Sequence, residues 1–571
     1  MEKRTEDRNI MMEEKKTTGE IKDRIMGETV EKKAAVKNGV FRMVFAVLSI
    51  LLEVGLLFVL LHYVGERAAW IYHVLRFLSV ALVLGIYGSH KTASIRMTWI
   101  MLIMLAPIFG TTLYLLIGLN GYTWKMRIRY DQIDKVLLPM LPSNEEVAAQ
   151  VKERDGRLYG LVRYIQGQAG YPVYANTEVT YYDDGEKGFE AQKRDLAKAE
   201  HFIFMEYHAI EDAECWHELQ EVLEERARAG VEVRVFYDDM GSLGFINTDF
   251  VKRTQKHGIQ CRVFNPFGPG LNLFLNNRDH RKITVIDGRV GFTGGYNLAN
   301  EYFHRTEPFG FWKDTGIRLE GDAVRSLTVT FLEMWNASSD RDRDDRDFAG
   351  YLPELNRPVE PAAECADGKI ERLVRDGQED EQIKKAGSAN GFVQPYADSP
   401  MDDRPVGEDV YISIAEGAQD YVWFITPYLI ITDEMRHALS LAARRGVDVR
   451  IITPGIPDKK IVYSLTRSYY NGLTRSGVRI FEYTPGFCHA KMCVSDDLVA
   501  TCGTINLDYR SLYHHFENGC LYADCPAVMD TKRDFEETFA KCTEVTEYYT
   551  TGRGAFLRFG QMILRLFAPL M

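Results

Sequence analysis

The sequence predicts an α/β protein made of two similar halves in tandem, packed as a pseudo-twofold pair and preceded by transmembrane helices. Three observations support this class. A motif that begins at residue 280 recurs 209 residues later, at residue 489. Apolar runs separated by a helical pattern flank each copy, and long apolar segments fill the region from 43 to 119. A chain of 571 residues is long enough for several domains of roughly 100–200 residues.

The composition excludes several classes of protein. A formal net charge of −12 argues against general recruitment of nucleic acid, so any binding of a polyanion must be local. A mean hydropathy of −0.22 excludes a chain that lies mostly in a membrane. The nine cysteines include no C-x-x-C pair, so we expect reduced thiols rather than a disulfide framework or a structural zinc site.

The N-terminal region combines a polar tail with apolar segments. Residues 1–39 carry mixed charge without an apolar period, which indicates a tail rather than a signal peptide. The segment 43–64 has one acid, Glu53. At about 1.5 Å per residue, this segment would cross a bilayer core of about 30 Å. We therefore expect it to be a membrane helix.

Two further apolar segments follow. The stretch 97–119 contains no charged residue and is predicted to be a span, because membrane helices tolerate residues such as Pro107 and Gly110. The stretch 68–88 is interrupted by a histidine and an arginine, and a third span, a re-entrant segment, an interfacial helix and a buried core helix stay open for it. Basic residues precede the first segment and follow the last. The positive-inside rule then favours two effective crossings and a cytoplasmic body.

The body of the chain repeats one pattern. Each copy reads His-x-Lys-x4-Asp, with a glycine seven residues and an asparagine ten residues after the aspartate. Within each half, apolar runs such as 202–205 and 231–237 enclose an amphipathic helical stretch, which predicts a mostly parallel, helix-covered sheet. The predicted organisation is a tail (1–39), membrane segments (40–120), a connecting region (121–170), a first half (171–340, motif about 274–301), a charged linker (341–390), a second half (391–550, motif about 483–510) and a C-terminal amphipathic segment (551–571).

The spacing of the motif places its polar groups on one surface. His280 and Lys282 are two residues apart, so on a strand they share a face. A turn at Asp287 and a return strand would bring Asn297 back beside Lys282. The equivalent residues of the second half are His489, Lys491, Asp496 and Asn506.

These groups suit a phosphodiester substrate. Lysine and asparagine donate to phosphate oxygens, and an imidazole acts as nucleophile or general acid near neutral pH. Two imidazoles facing one phosphate could form a phosphohistidine and protonate the leaving alkoxide, after which the second imidazole would deprotonate the next acceptor. This chemistry calls for no metal and no cofactor.

Other polar residues have supporting roles in this scheme. We expect Asp314 and Glu517, which open matching strands of the two halves, to orient His280 and His489, because a nucleophilic imidazole needs its second nitrogen fixed. Asp287 and Asp496 are expected to hold their turns. The sequence assigns the remaining histidines, including His208, His514 and His515, to the core or the surface.

The paired motif resembles that of the phospholipase D superfamily. Within it, the chain is similar to the bacterial cardiolipin synthases. The resemblance rests on Glu206-Tyr207-His208, Phe311-Trp312-Lys313-Asp314, Thr426-Pro427-Tyr428, Asn506-Leu507-Asp508-Tyr509-Arg510-Ser511 and the ending Arg565 to Leu570. Gly295 and Thr504 stand where serine is common in the family.

The resemblance implies transfer of a phosphatidyl group between two phosphatidylglycerol molecules, which yields cardiolipin and glycerol. It also implies that His280 is the nucleophile and His489 the acid and base, although the residues alone leave these two roles open. The other members implied for the catalytic set are Lys282, Asp287, Lys491 and Asp496, with Asn297 and Asn506 binding substrate.

The expected partners are phosphatidylglycerol, other anionic phospholipids and the membrane, and not nucleic acid. The apolar C-terminus carries arginines at intervals, which suits a helix at an anionic lipid surface or one packed on the body. Two alternatives stay open: another phospholipase D-type transferase or hydrolase, and a membrane scaffold without activity.

Overall fold

The computed structural model describes residues 33–49, 51, 52, 55, 59, 69–89, 92–117, 121–266, 277–339, 348–353, 391–402, 404–551 and 559–570. Most of the predicted tail, parts of the predicted span 43–64, most of the predicted linker and part of the C-terminal segment lie outside the described residues.

The first half is built on a seven-stranded mixed sheet. One of its interior strands carries the apolar run Phe202–Tyr207 and is buried along its whole length, as expected where helices cover both faces of a sheet. The order is β1-β8-β7-β6-β2-β3-β4. The strands are β1 (Thr177–Tyr182), β2 (Phe202–Tyr207), β3 (Glu232–Asp238), β4 (Gln260–Phe264), β6 (Lys282–Ile286), β7 (Val290–Gly294) and β8 (Gly316–Gly321), with the short β5 (Arg278–Asp279) outside this sheet.

The second half repeats this order strand for strand. Its path β9-β17-β15-β14-β10-β12-β13 has the same connections as the first sheet, so the predicted pair of similar α/β halves is confirmed. The strands are β9 (Phe392–Asp398), β10 (Tyr421–Ile425), β11 (Leu429–Ile430), β12 (Asp448–Pro454), β13 (Arg479–Tyr483), β14 (Met492–Ser495), β15 (Val499–Gly503), β16 (Leu507–Asp508), β17 (His515–Ala523) and β18 (Cys542–Glu544).

The expectation of mostly parallel sheets is wrong. Only the β2–β3 and β3–β4 pairings of the first sheet are parallel, and its other four pairings are antiparallel. The physical reason is the motif itself. Strands β6 and β7 are joined by a tight turn at Asp287 and Gly288, both with positive φ, and a connection this short permits only an antiparallel hairpin.

Helices cover both sheets, and one of them lies at the centre. Every residue of the helix Val324–Ala337 except Arg325 is buried, because it packs on β2 and β6 of the first half and on β9 of the second. The other helices of the body are Glu145–Arg154, Gly156–Ala169, Gly185–Leu196, Glu214–Arg228, Phe250–Lys256, Val406–Gly417, Asp433–Arg444, Lys460–Thr474, Tyr509–Tyr513, Pro526–Phe539 and Thr546–Thr550.

The two halves exchange backbone pairings with each other. The short strand β5 of the first half pairs in parallel with β17 of the second. Lys313 of the first half forms a parallel bridge with Cys488 of the second. Tyr174 and Val393 add an antiparallel bridge. The two sheets are therefore joined by main-chain hydrogen bonds at the point where each motif begins.

The N-terminal helices differ from the prediction. The stretch 97–119 is not one helix: Ala93–Leu105 and Pro107–Ile117 are separate helices that pack on each other. Proline lacks an N–H and disfavours helical backbone in the residue before it, so the chain turns at Ala106. The segment 68–88 forms the helix Ala69–Tyr87, and Gly121–Leu137 leads into the body. Among the described helices, none has both the length and the apolar content required to cross a membrane.

The C-terminal helix Phe559–Phe567 connects two parts of the molecule. Thr98 of the N-terminal helices donates to the carbonyl of Leu566 at 3.0 Å. The Arg565 guanidinium lies over the ring of Tyr469, 4.3 Å from its centroid. The helix therefore packs on the body through one side, while Phe559 on another side is 74% exposed.

Candidate active site

The two motif histidines lie at the junction of the halves. The His280 backbone N–H donates to the carbonyl of Phe516 at 2.9 Å, and the His489 N–H donates to the carbonyl of Lys313 at 2.8 Å. Each histidine is thus attached to the main chain of the other half, within β17 for His280 and just before β8 for His489. Both residues are buried, with 8% and 7% of their surface exposed.

Each histidine is held by a carboxylate from the opposite half. Nδ1 of His280 lies 2.9 Å from both oxygens of Glu517. Nδ1 of His489 lies 2.7 Å from Oδ2 of Asp314. The two predicted orienting acids therefore contact the two histidines in crossed pairs. The contacts leave Nε2 of each ring as the nitrogen available to a substrate.

Glu517 and Asp314 differ in the residue that lies next to each carboxylate. The Thr504 hydroxyl donates to Glu517 Oε2. In the first half the matching position is Gly295, where a Cβ would lie 2.0 Å from Asp314 Oδ1. A side chain at residue 295 would therefore displace Asp314, which explains why this half carries glycine there.

The two motif lysines supply buried positive charge. Lys282 Nζ donates to the carbonyl of His280 at 2.6 Å. Lys491 Nζ lies 2.9 Å from His489 Nδ1. Burial, with the repulsion between the two ammonium groups, lowers the pKa of Lys282 to about 7 despite the nearby charge of Glu517. Burial likewise lowers the pKa of Lys491 to about 8, against the charges of Asp314 and Glu517.

Both histidines are held neutral by their surroundings. Burial and the charges of Lys282 and Lys491 lower the pKa of His280 well below its usual range. Burial and the charge of Lys491 lower the pKa of His489 to about 4, although Asp314 acts in the opposite direction. A bound phosphodiester anion would offset the lysine charges and raise both values, so a proton would be taken up with the substrate.

The motif asparagines are both buried, and their positions beside the lysines stay a prediction. Asn297 accepts from the Ala209 N–H at 3.1 Å and donates to the Tyr302 hydroxyl at 2.9 Å. Its amide therefore fixes a loop and an aromatic ring of the site. Asn506 is 5% exposed, and its Oδ1 has no hydrogen-bond partner among the described residues.

The motif aspartates hold the start of a neighbouring strand. The Asp287 carboxylate accepts from the N–H groups of Glu200, His201 and Phe202, at 2.7–2.8 Å. Asp496 accepts in the same way from three consecutive N–H groups, at 2.8–2.9 Å. This geometry is the one expected for a turn role, and among the described hydrogen bonds neither carboxylate contacts a histidine of the site.

Sequence reasoning missed the rings that flank the histidines. His208 and His515 lie beside His280, with ring centroids 4.9 and 5.4 Å away. The rings of Tyr302, Trp312 and Phe487 lie beside His489, at 5.3, 5.4 and 5.9 Å. One signal was available: Trp312 and His515 each stand two residues before an orienting acid, so on a strand they share its face.

One group of residues could in principle hold a metal. His280, His515 and Glu517 offer ligand atoms that all lie within 4.8 Å of one another. The charges around this group disfavour a divalent cation, because the positive charges of Lys282, Lys491 and Arg510 act on the His280 ring. Glu517 also already binds His280 and the Thr504 hydroxyl. The arrangement fits an anionic substrate better than a metal ion.

The fold and the site define a class of enzyme: a phospholipase D-type protein, in which two similar halves each contribute a histidine motif. A family described as "Cardiolipin synthase, PLD-like domain" matches residues 193–335 and 411–539, one segment in each half. The chain belongs to this family.

Individual relatives agree with this assignment. The chain is 32% identical over 504 residues to a cardiolipin synthase of Oceanobacillus iheyensis, which covers 86% of this chain and 97% of that protein. It is 40% identical over 493 residues to an uncharacterised protein of Streptococcus mutans, with 86% and 100% covered. A crystal structure of phosphatidylserine synthase from Haemophilus influenzae has a TM-score of 0.50 at 14% identity, with 72% and 97% covered, and shows the same fold.

Proposed function

We propose that this chain transfers a phosphatidyl group from one phosphatidylglycerol molecule to another, forming cardiolipin and glycerol. The observation that carries the proposal is the crossed arrangement of the site. Each histidine is oriented by a carboxylate of the other half and lies next to a buried lysine. Membership of a cardiolipin synthase family supports the choice of lipid substrate.

In the first step, Nε2 of His280 attacks the phosphorus of one phosphatidylglycerol. The N–P bond forms while the P–O bond to the head-group glycerol breaks. His489, protonated when the anionic substrate binds, gives its proton to the departing glycerol oxygen. Glu517 fixes the His280 ring through Nδ1, so that Nε2 is the attacking nitrogen.

In the second step, a glycerol hydroxyl of the second phosphatidylglycerol attacks the phosphohistidine. Its proton passes to the now neutral His489, the new O–P bond forms and the N–P bond breaks. Lys282 and Lys491 stabilise the charge that builds up on the phosphate oxygens in both steps. Two histidines are needed because Nε2 of His280 is bonded to phosphorus in the intermediate. His489 must therefore carry the proton.

We further propose that the N-terminal helices and the C-terminal helix hold this site at a lipid surface. Large apolar side chains are exposed on both: Phe77 at 77%, Leu84 at 67% and Met104 at 68% in the N-terminal helices, and Phe559 at 74% in the C-terminal helix. Exposed apolar area of this extent marks an interaction surface. A lipid surface is the partner for this apolar area that is consistent with phosphatidylglycerol as the substrate.

The proposal is tested by incubating the purified full chain with vesicles of labelled phosphatidylglycerol. Cardiolipin and glycerol are the expected products, and EDTA is expected to leave the rate unchanged. His280→Ala and His489→Ala should abolish turnover, whereas His257→Ala, a change at a half-exposed histidine outside the site, should not. Phosphatidic acid as the sole product would identify a hydrolase, and absence of turnover would identify a scaffold; either result contradicts the proposal.

A further inference from the structure

The two histidines have chemically different surroundings although the halves repeat each other. His280 faces two imidazoles, those of His208 and His515. His489 faces three aromatic rings, those of Tyr302, Trp312 and Phe487. The repeat makes the comparison direct, since His515 and Trp312 occupy equivalent positions, each two residues before the acid that orients the adjacent histidine. The site therefore has an imidazole side and an aromatic side.

The aromatic side is closely packed and buried. Trp312 lies 4.7 Å from Tyr302 and 4.9 Å from Phe487 between ring centroids. These three residues are between 1% and 7% exposed. An enclosure of this kind would exclude water from a group bound against His489.

Polar atoms without partners point to what this enclosure binds. Nε1 of Trp312 has no hydrogen-bond partner among the described residues, although the side chain is buried. A buried indole N–H normally finds a partner, and an unmade hydrogen bond at such a site destabilises the protein. Oδ1 of Asn506, another buried motif atom, is also without a described partner. A ligand with hydroxyl groups could supply an acceptor to the indole.

We propose that Trp312, with Tyr302 and Phe487, forms a glycerol subsite beside His489, in which the indole N–H donates to a glycerol hydroxyl. The inference rests on the proposed function, in which His489 exchanges a proton first with the departing glycerol and then with the glycerol of the acceptor. Both groups must therefore occupy this side. An uncharged polyol suits an aromatic enclosure, because its C–H faces contact the rings and its hydroxyls meet the few polar atoms.

The subsite would select glycerol over water as the acceptor. Water has no C–H groups to pack on the rings and would be held less well beside His489. The residues that enclose His489 would then decide whether the phosphohistidine is consumed by transfer or by hydrolysis. Loss of the indole N–H should weaken glycerol binding, and loss of the whole ring should also admit water.

The test measures exchange of free labelled glycerol into phosphatidylglycerol by the full chain in vesicles. The variants are Trp312→Phe, which keeps a ring but removes the N–H, and Trp312→Ala. We expect the half-saturating glycerol concentration to rise about tenfold in Trp312→Phe, as for loss of one hydrogen bond in a buried site. In Trp312→Ala it should rise further, with phosphatidic acid increasing relative to cardiolipin. Phe311→Ala is the matched control, because Phe311 stacks on His304, 4.4 Å away, and should change neither quantity.

The outcomes separate the two proposals. If the wild-type chain makes cardiolipin and Trp312→Phe keeps the wild-type half-saturating concentration, the glycerol subsite is wrong and the proposed function stands. A lower rate at an unchanged half-saturating concentration also overturns the subsite, because it indicates a structural role alone. If the wild-type chain makes neither cardiolipin nor exchanged lipid, the proposed function itself fails. Thermal unfolding identifies a Trp312→Ala chain that does not fold, and Trp312→Phe then decides.

Discussion

Glu517 and Asp314 show how single side chains fix the chemistry of this site. Each carboxylate accepts from Nδ1 of a histidine that belongs to the other half, at 2.9 and 2.7 Å. An imidazole held in this way presents Nε2 in one tautomer and orientation. The sequence identified both acids from their matching places in the repeat, but spacing along the chain contains no signal for the exchange between halves.

Neutralising either acid should slow turnover strongly. In Glu517→Gln and Asp314→Asn, the amide no longer selects the correct tautomer or stabilises the protonated ring, and the turnover rate should fall by roughly 100-fold to 10,000-fold. Initial rates of cardiolipin formation measure the effect. Asp530→Asn is the control, because Asp530 pairs only with the exposed Arg533 among described salt bridges. A wild-type rate in either site variant would refute the orienting role.

Lys282 gives the protein a specific dependence of stability on pH. Its pKa in the folded chain is about 7, mainly because of burial, whereas an exposed lysine titrates near 10.4. Between these values the unfolded chain binds more protons than the folded chain. Stability should therefore rise with pH across this window, by at most about 1.4 kcal/mol per pH unit from this group.

Urea unfolding of the substrate-free protein between pH 7 and pH 10 measures this slope. Lys282→Met should make this slope smaller and leave the part that comes from Lys491, whose pKa burial lowers to about 8. Lys541→Met, at an exposed residue, should keep the wild-type slope. An unchanged slope in Lys282→Met would show that the lysine does not titrate differently in the folded protein.

At the scale of elements, the hairpin β6–β7 and its counterpart β14–β15 each carry one motif. The hairpin turn places an aspartate at the start of the adjacent strand, β2 or β10, where it accepts from three backbone N–H groups. The motif lysine and the motif aspartate therefore act at opposite ends of one strand. The lysine lies beside a histidine of the site, and the aspartate positions the neighbouring strand.

Removal of either turn aspartate should act through stability. Asp287→Ala and Asp496→Ala each leave three N–H groups without their acceptor, and loss of hydrogen bonds to a charged group should cost about 2–4 kcal/mol of unfolding free energy. The two variants should lose similar amounts of unfolding free energy, since both aspartates accept from three backbone N–H groups. Chemical unfolding measures them, with Asp530→Ala as the control. A large loss of turnover without loss of stability would instead place these carboxylates in the chemistry.

The N-terminal helices show where the pattern of a sequence is insufficient. Composition predicted one apolar span over 97–119, but the chain divides into Ala93–Leu105 and Pro107–Ile117. Hydropathy alone does not distinguish a kinked helix from two packed helices. Which of these two structures forms depends on close contacts between the helices. A Cβ on Gly110, for example, would lie 2.6 Å from the carbonyl of Leu102. Such contacts exist only in the folded chain.

At the scale of the whole molecule, the two halves are packed together and share one site. The repeat predicted two halves because its spacing of 209 residues is constant. Their mutual dependence follows from contacts that no spacing reveals: β5 pairs with β17, and Gln394 of the second half donates to the carbonyl of Tyr171 at 2.8 Å. The buried helix Val324–Ala337 packs against strands of both halves. Neither half contains a complete site, because each histidine takes its acid from the other.

Cutting the chain between the halves should therefore leave the site intact. A protease site placed between residues 354 and 390, outside the described residues, allows the purified full chain to be cleaved after folding. The two fragments should co-purify and keep cardiolipin synthesis within about twofold of the uncut control, since large buried interfaces hold without a covalent link. After separation in denaturant, either fragment refolded alone should be inactive, and mixing before refolding should restore activity. Activity in one isolated fragment would mean that the crossed acids are dispensable and that a single motif suffices for transfer.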